Sequence, residues 1–155
     1  MRPMPENVAT FLKGKRLVVA GVSRNGREPS NAIFKRFRDC GYEVFPVNPS
    51  ATTVEGERCY PDLRSVPAPI DGVMIATRPD VSVEIVRQCA ELGINSVWFH
   101  RSIGEGSVSP EALATCSASQ ITPIVGGCPL MYCGRVDIFH KCMRWWFRNT
   151  GKIPG

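Results

Sequence analysis

The chain has 155 residues, of which 43% are hydrophobic and 21% charged, and its formal net charge is +5 at pH 7. A chain of this length and composition buries a substantial core, which excludes a disordered protein and a scaffold that depends on disulfides or metals. No apolar run approaches the roughly 20 residues that cross a bilayer, and the first ten residues lack the apolar core of a signal peptide. We therefore expect one cytoplasmic domain with no membrane span.

The first part of the chain predicts two strands around one helix. The apolar run Arg16–Ala20 indicates a strand that is buried on both faces. A helix follows from Pro29, which suits a first helical turn, to Cys40. The second strand, Glu43–Val47, contains Pro46, and a proline inside a strand favours a place at the edge of the sheet.

The second part repeats the alternation. Asp80 is the expected N-cap of a helix that runs to Leu92, and Ser109 is the expected N-cap of a short helix that starts at Pro110. The further predicted strands are Gly72–Ala76, Ser96–Phe99 and Ile121–Val125. This alternation predicts a Rossmann-like three-layer α/β/α fold with a mostly parallel sheet of five or six strands.

The C-terminal segment predicts one more helix. From Arg135 to Thr150, apolar residues recur at spacings of three and four, together with the pair Trp145-Trp146 and several basic residues. We expect its aromatic side to pack on the domain or on a second copy of the chain, rather than on a membrane or a nucleic acid. The predicted organisation is an N-terminal segment (1–12), a Rossmann-like domain (13–133) and a helical extension (134–155).

The first strand is followed by a glycine turn, the segment Gly21 to Arg27. Ligands of parallel α/β sheets bind at the carboxyl ends of the strands. Glycine allows close approach to the backbone, and the N-terminus of the next helix attracts phosphate. Ser23, Arg24 and Arg27 add hydrogen-bond donors. The segment matches neither a dinucleotide-binding glycine motif nor a Walker A motif, so an ordinary strand–helix loop is the alternative to a phosphate site.

Neutral and basic residues follow the next two strands. Asn48-Pro49 lies where an NAD-binding domain carries an acidic residue for the ribose hydroxyls. A neutral side chain tolerates a phosphorylated ribose, whereas a carboxylate would repel it, and this argues against NAD. The alternative is that Asn-Pro only starts a turn. Arg78, after the third strand, is either a phosphate ligand or a surface arginine.

Two reactive side chains follow the fourth and fifth strands, His100 and Cys128. His100 would serve as a general base, but no nucleophile with an acidic partner accompanies it, so we expect a polar gate or a surface histidine. Cys128 forms a loose cluster with Cys133, His140 and Cys142, whose spacing fits no standard zinc pattern. We interpret most of the seven cysteines as packing residues, and we expect no metal and no catalytic residues.

Taken together, these strand ends resemble the small CoA-binding proteins with a Rossmann-like fold. They are also similar to the CoA-binding domain of succinyl-CoA synthetase α subunits and of ADP-forming acyl-CoA synthetases. The resemblance covers roughly Lys13 to Met131. The residues that carry it are Gly21-Val22-Ser23-Arg24, Asn31, the run Gly41–Pro49, Gly56, Tyr60, Asp71, Arg78-Pro79, Gly93, Val97-Trp98 and the run Cys128–Met131.

The resemblance implies a small-molecule nucleotide ligand, coenzyme A or an acyl-CoA, and no catalysis by the protein itself. It assigns the pyrophosphate to the glycine turn and the adenosine to the end of the second strand. The implied site residues are Gly21, Val22, Ser23, Arg24, Arg27, Asn31, Val47, Asn48, Pro49, Tyr60, Ala76, Thr77, Arg78 and Pro79. The ribose 3′-phosphate of CoA agrees with the neutral Asn48.

Two departures from the family pattern affect what the resemblance implies. Family members often carry Trp-x-Gln-x-Gly after the fourth strand, where this chain has the run Trp98–Ser102, and the difference affects the thiol end of the site. The tail from Gly134 has no role that the resemblance supplies. An NAD(P)-binding oxidoreductase-like protein, an acyl-transfer protein and an interaction module acting through the last helix therefore stay open, as does a homodimer.

Overall fold

The computed structural model describes residues 4–101 and 106–134. These residues form four α-helices, a five-stranded sheet and a small hairpin. The helices are α1 (Glu6–Leu12), α2 (Pro29–Asp39), α3 (Pro79–Glu91) and α4 (Pro110–Ala118). The strands are β1 (Arg16–Ala20), β2 (Glu43–Val47), β3 (Thr53–Val54), β4 (Glu57–Arg58), β5 (Gly72–Ile75), β6 (Val97–Phe99) and β7 (Ile124–Val125).

The main sheet is parallel throughout and has the strand order β2-β1-β5-β6-β7. The strand that contains Pro46 lies at its edge, as predicted, because a proline has no N–H to donate to a second neighbour. From β2 the chain returns across β1 to form β5 on the other side. The structure confirms the Rossmann-like α/β fold and places the reversal of strand order between β1 and β5.

Side chains of the sheet alternate between two cores. Val19, Met74 and Trp98 face the side of α1 and α2. Val18, Val73 and Phe99 face the side of α3 and α4. All six are fully buried, which explains why the central strands read as continuous apolar runs.

The N-terminal helix α1 was not predicted. Only Val8 and Phe11 of its seven residues are buried, which is too little apolar periodicity to recognise in the sequence. The Phe11 ring packs edge-on against Trp98 at 5.4 Å between ring centres. A side chain at Gly72 would come within 2.9 Å of the Phe11 ring, so the helix packs closely on the sheet. Residues of the predicted N-terminal segment thus contribute to the core.

The structure differs from the predicted elements in several places. The N-cap of α3 is Arg78, not Asp80, because Pro79 occupies the first helical position, for which its fixed φ is suited. The last strand is limited to Ile124–Val125, since Pro123 directly before it cannot donate to a ladder. The loop after β2 contains the hairpin β3–β4, whose turn places Gly56 at φ +78°. The Ser109 cap of α4 is confirmed by its hydroxyl, which accepts from Ala112 N at 3.1 Å.

Some predictions fall outside the described residues. The helix expected over Arg135–Thr150 lies there, as do His140 and Cys142 of the cysteine and histidine cluster. Within the described ranges, no helix is long and apolar enough to cross a membrane.

Two cysteines of the α3–α4 core test the interpretation of thiols as packing residues. Cys89 is fully buried and Cys116 is 1% exposed. Burial raises the pKa of Cys89 to about 12 and that of Cys116 to about 11. Both thiols therefore stay protonated near neutral pH and act as small hydrophobic groups.

We expect Cys89 and Cys116 to resist iodoacetamide at pH 8 in the folded protein and to react fully in urea, because the thiolate is the reacting species. Peptide mass spectrometry of alkylated protein measures this site by site. The half-buried Cys40 is the control that should react in the native state. Alkylation of Cys89 at the rate of Cys40 would contradict the prediction.

Candidate functional site

A crevice opens at the carboxyl ends of β1 and β5, the neighbouring strands between which the strand order reverses. The helix after β1 covers one face of the sheet and the helix after β5 covers the other, so the two connections diverge and leave room for a ligand. A cavity of about 330 Å³ lies there. It is lined by Gly21, residues 28–30, residues 76–79, His100, Gly106 and Ser107.

A larger cavity, of about 560 Å³, lies at the opposite edge of the sheet. It is formed by α1 and by residues near the amino ends of β6 and β7, including Asn95 and Thr122. Parallel α/β folds bind their ligands at the carboxyl edge, where loops and helix N-termini converge. We therefore take the smaller cavity as the candidate site.

The glycine turn is fixed by a close approach of β1 to β5. Gly21 has φ +95°, and a Cβ at this position would lie 2.7 Å from the carbonyl oxygen of Ala76. Its N–H donates to Val47 O at 2.8 Å, so the turn also contacts the end of β2. Val22, which follows, is fully buried and belongs to the core. The structure thus brings the predicted residues of three strand ends together.

A buried amide holds the middle of the turn. Asn31, which is 1% exposed, accepts from Ser23 N at 3.2 Å and donates to Ser23 O at 2.7 Å. Its amide also donates to the Glu55 carboxylate at 2.8 Å, and Lys35 lies 3.7 Å from the same carboxylate. Asn31 therefore positions the turn, and contact of its side chain with a ligand stays a prediction. The sequence predicts no strand between the second and third strands, so it does not indicate the part played by Glu55.

A second amide fixes the end of β2. Asn48 donates to Val22 O at 2.9 Å and accepts from Ser50 N at 2.8 Å. Its main-chain N–H donates to Tyr60 O at 2.9 Å, and the Arg58 guanidinium lies 5.1 Å from the centre of the Tyr60 ring. Val47 is 2% exposed, so its side chain belongs to the core. Pro49 does not line the candidate crevice and instead lines a separate cavity of about 450 Å³.

Two helix N-termini point at the crevice. Pro29 opens α2 and Pro79 opens α3, and both prolines line the cavity. The positive ends of both helix dipoles therefore meet at one place. Thr77 forms a hydroxyl–hydroxyl hydrogen bond of 2.9 Å with Ser82, which holds the start of α3.

Exposed charges surround this opening. The Arg78 side chain is 79% exposed and pairs with Asp80 at 2.9 Å. Arg24 and Arg27 of the glycine turn are exposed as well, and Glu28 is an acidic residue among the lining groups. The arginines are thus free to reorient toward an anion in solvent at small cost, since exposed ion pairs contribute little to stability.

His100 lies at the deep end of the crevice. It is 8% exposed, and burial lowers the pKa of its imidazole to about 4. The ring is therefore neutral at pH 7, which makes it a weak general base. The expectation of a polar or surface histidine missed this burial, because the sequence does not show how closely Gly106 and Ser107 return to it.

The other reactive groups do not assemble into a site in the described residues. Cys128 is 3% exposed and belongs to the core on the α2 side of the sheet, with Cys133. Within residues 4–101 and 106–134, no three metal-ligating side chains come together.

Comparisons with known proteins agree with this geometry. The family model described as a CoA binding domain matches residues 15–134. The uncharacterized protein YneT of Bacillus subtilis is 27% identical over 116 residues, which are 75% of this chain and 83% of YneT. The structure of a conserved hypothetical protein from Pyrococcus furiosus superposes with a TM-score of 0.67 at 27% identity, covering 74% of this chain and 96% of that one.

A larger relative matches over a shorter stretch. The ADP-forming acetate–CoA ligase II of Archaeoglobus fulgidus is 30% identical over 82 residues, which are 52% of this chain. The matched part is only 12% of the ligase, so the chain corresponds to a small portion of that protein.

The buried amide of Asn31 supplies a direct test of how the turn is held. We expect Asn31→Ala to lower the free energy of unfolding by about 1–3 kcal/mol, because two main-chain groups of Ser23 lose their partner. Urea titration of the variant measures this. Asn25→Ala, an exposed position in the same turn, is the matched control and should cost far less. Equal stability of the two variants would contradict the role assigned to Asn31.

Proposed function

This chain belongs to the CoA binding domain family, and we propose that its crevice binds coenzyme A or an acyl-CoA without catalysis of its own. The observation that carries the proposal is the convergence of the α2 and α3 N-termini on one cavity beside the glycine turn. Such an arrangement suits a pyrophosphate, whose charge both helix dipoles stabilise. A cytoplasmic location and a homodimer stay predictions.

The charges around the crevice support an anionic ligand. Arg78 lines the crevice, and Arg24 and Arg27 are exposed in the glycine turn that leads to it. The carboxylates of Glu28, which also lines the crevice, and of Asp80, which pairs with Arg78, oppose these charges. Arginine forms bidentate hydrogen bonds with phosphate oxygens, and a phosphate that enters the crevice competes with Asp80 for Arg78. The Glu55 carboxylate, in the turn of the β3–β4 hairpin, is partly neutralised by Lys35. This pairing lessens the repulsion between Glu55 and a phosphate.

The end of β2 supports CoA over NAD. Asn48 is neutral, so it offers no carboxylate to hold the two hydroxyls of an NAD ribose. Both polar atoms of its side chain already bond the protein itself. A ribose that carries a 3′-phosphate is tolerated beside an amide. The cationic Arg58 is held nearby over the Tyr60 ring.

The buried reactive groups support binding without catalysis. His100 is neutral at pH 7, because burial lowers the pKa of its imidazole to about 4. Cys128 lies in the core, where an acyl group could not reach it without displacing packed side chains. Acyl transfer to this thiol is therefore the less favoured alternative, and intact mass measurement after incubation with labelled acyl-CoA would detect it.

Calorimetric titration tests the proposal. We expect CoA to bind and NAD and NADP to give little heat, with affinity for CoA falling as salt is raised because the phosphate contacts are charge-assisted. Clear binding of NAD together with no heat from CoA would sink the proposal.

A glycine variant tests whether the turn is the binding element. We expect Gly21→Ala to weaken CoA binding at least tenfold, because its Cβ would collide with the Ala76 carbonyl and displace the turn. Gly93→Ala is the matched control, since Gly93 also has positive φ (+69°) but open space around it. It should lose some stability and keep its affinity for CoA. An equal loss of affinity in both variants would show that the effect is not local to the crevice.

A further inference from the structure

His100 lines the candidate crevice, and its Nε2 atom is buried. Side chains alternate along a strand, so His100 lies on the same side of the sheet as Trp98, two residues earlier. This is the side covered by α2, whose first residues, 28–30, line the same cavity as His100. The main chain is locked on both sides, because His100 N donates to Ile75 O at 2.8 Å and His100 O accepts from Ser107 N at 3.0 Å.

The imidazole is buried without a complete set of partners. His100 is only 8% exposed, and its Nε2 has no hydrogen-bond partner in the described part of the protein. Buried polar atoms are almost always bonded, and one that is not is a costly exception that asks for an explanation. A ligand group that bonds Nε2 in the complex provides one.

The chemistry of that group follows from the state of the ring. Burial lowers the pKa of His100 to about 4, so the neutral imidazole offers one N–H and one lone pair. Either can lie at Nε2, depending on the tautomer. An amide satisfies both cases, because it carries a strong acceptor and a donor, whereas a thiol is weak in both roles.

The distance along the sheet edge places such an amide near His100. Gly21 follows β1 and His100 follows β6, and only β5 lies between these strands. Two strand intervals are about 10 Å. A CoA molecule with its pyrophosphate at the start of α2 would therefore extend its pantetheine arm, which contains two amides, across the end of β5 toward His100.

We propose that His100 Nε2 hydrogen-bonds an amide of the pantetheine arm and so distinguishes CoA from nucleotides that lack this arm. The proposal rests on the proposed function, because it assumes that the phosphates of CoA bind at the start of α2. It assigns His100 to ligand selection and gives a reason for keeping a buried imidazole in the crevice.

Calorimetry on the full chain with three ligands tests this. Adenosine 3′,5′-bisphosphate carries the adenosine, the 3′-phosphate and one 5′-phosphate. CoA adds the second phosphate of the pyrophosphate and the arm, and acetyl-CoA adds a thioester carbonyl. We expect His100→Phe to weaken CoA and acetyl-CoA binding by about the same factor, near tenfold, and to leave the bisphosphate unchanged. His100→Gln should retain most of the affinity, since its amide offers both a donor and an acceptor. Asn95→Ala, in the cavity at the opposite edge, is the control.

The outcomes separate the two proposals. If wild-type protein fails to bind CoA, both fall, whereas undiminished CoA binding by His100→Phe overturns only the role of His100. A loss confined to acetyl-CoA would move the contact to the thioester and overturn the amide assignment.

If His100→Phe does not fold, the ¹⁵N imidazole signals of the wild type decide. They should shift with CoA and not with the bisphosphate, and unchanged signals would overturn the proposal. A His140→Gln variant assigns the two histidines.

Discussion

The crevice depends on how closely β1 and β5 approach each other where both strands end. At Gly21, directly after β1, there is no space for a side chain beside the Ala76 carbonyl. Because the strand order reverses between these two strands and parallel crossovers are right-handed, the connections that follow them lie on opposite faces of the sheet. The starts of α2 and α3 therefore meet at one opening. The tight turn at Gly21 allows this close approach.

Two side-chain amides hold this opening in shape. Asn31 ties the glycine turn to the hairpin, and Asn48 ties it to the end of β2. Both bond main-chain groups that have no strand or helix partner, so the turn is ordered before any ligand arrives. A site preorganised in this way loses less conformational entropy on binding. The exposed arginines at its mouth, in contrast, are free to adapt to the ligand.

The central strands and longer helices could be predicted because their signals are local. A strand buried on both faces is a continuous apolar run, and α2 and α3 start at prolines and end before Gly41 and Gly93. Helix α1 and the β3–β4 hairpin could not be predicted, because their order comes from packing on distant residues. Phe11 lies against Trp98, and Glu55 is held by Asn31. These partners are 87 and 24 positions away in sequence.

The candidate site divides in the same way. The sequence by itself determined that a glycine turn, a neutral Asn48 and Arg78 follow successive strands, and the resemblance carried by these residues led to the CoA-binding family. Only the tertiary structure decided that Val22 and Val47 belong to the core and that Asn31 bonds the turn. It also showed that His100 is buried and that its Nε2 has no hydrogen-bond partner among the described residues. The physical reason is that residue type and spacing are written along the chain, whereas burial and hydrogen-bond partners depend on segments far apart in sequence.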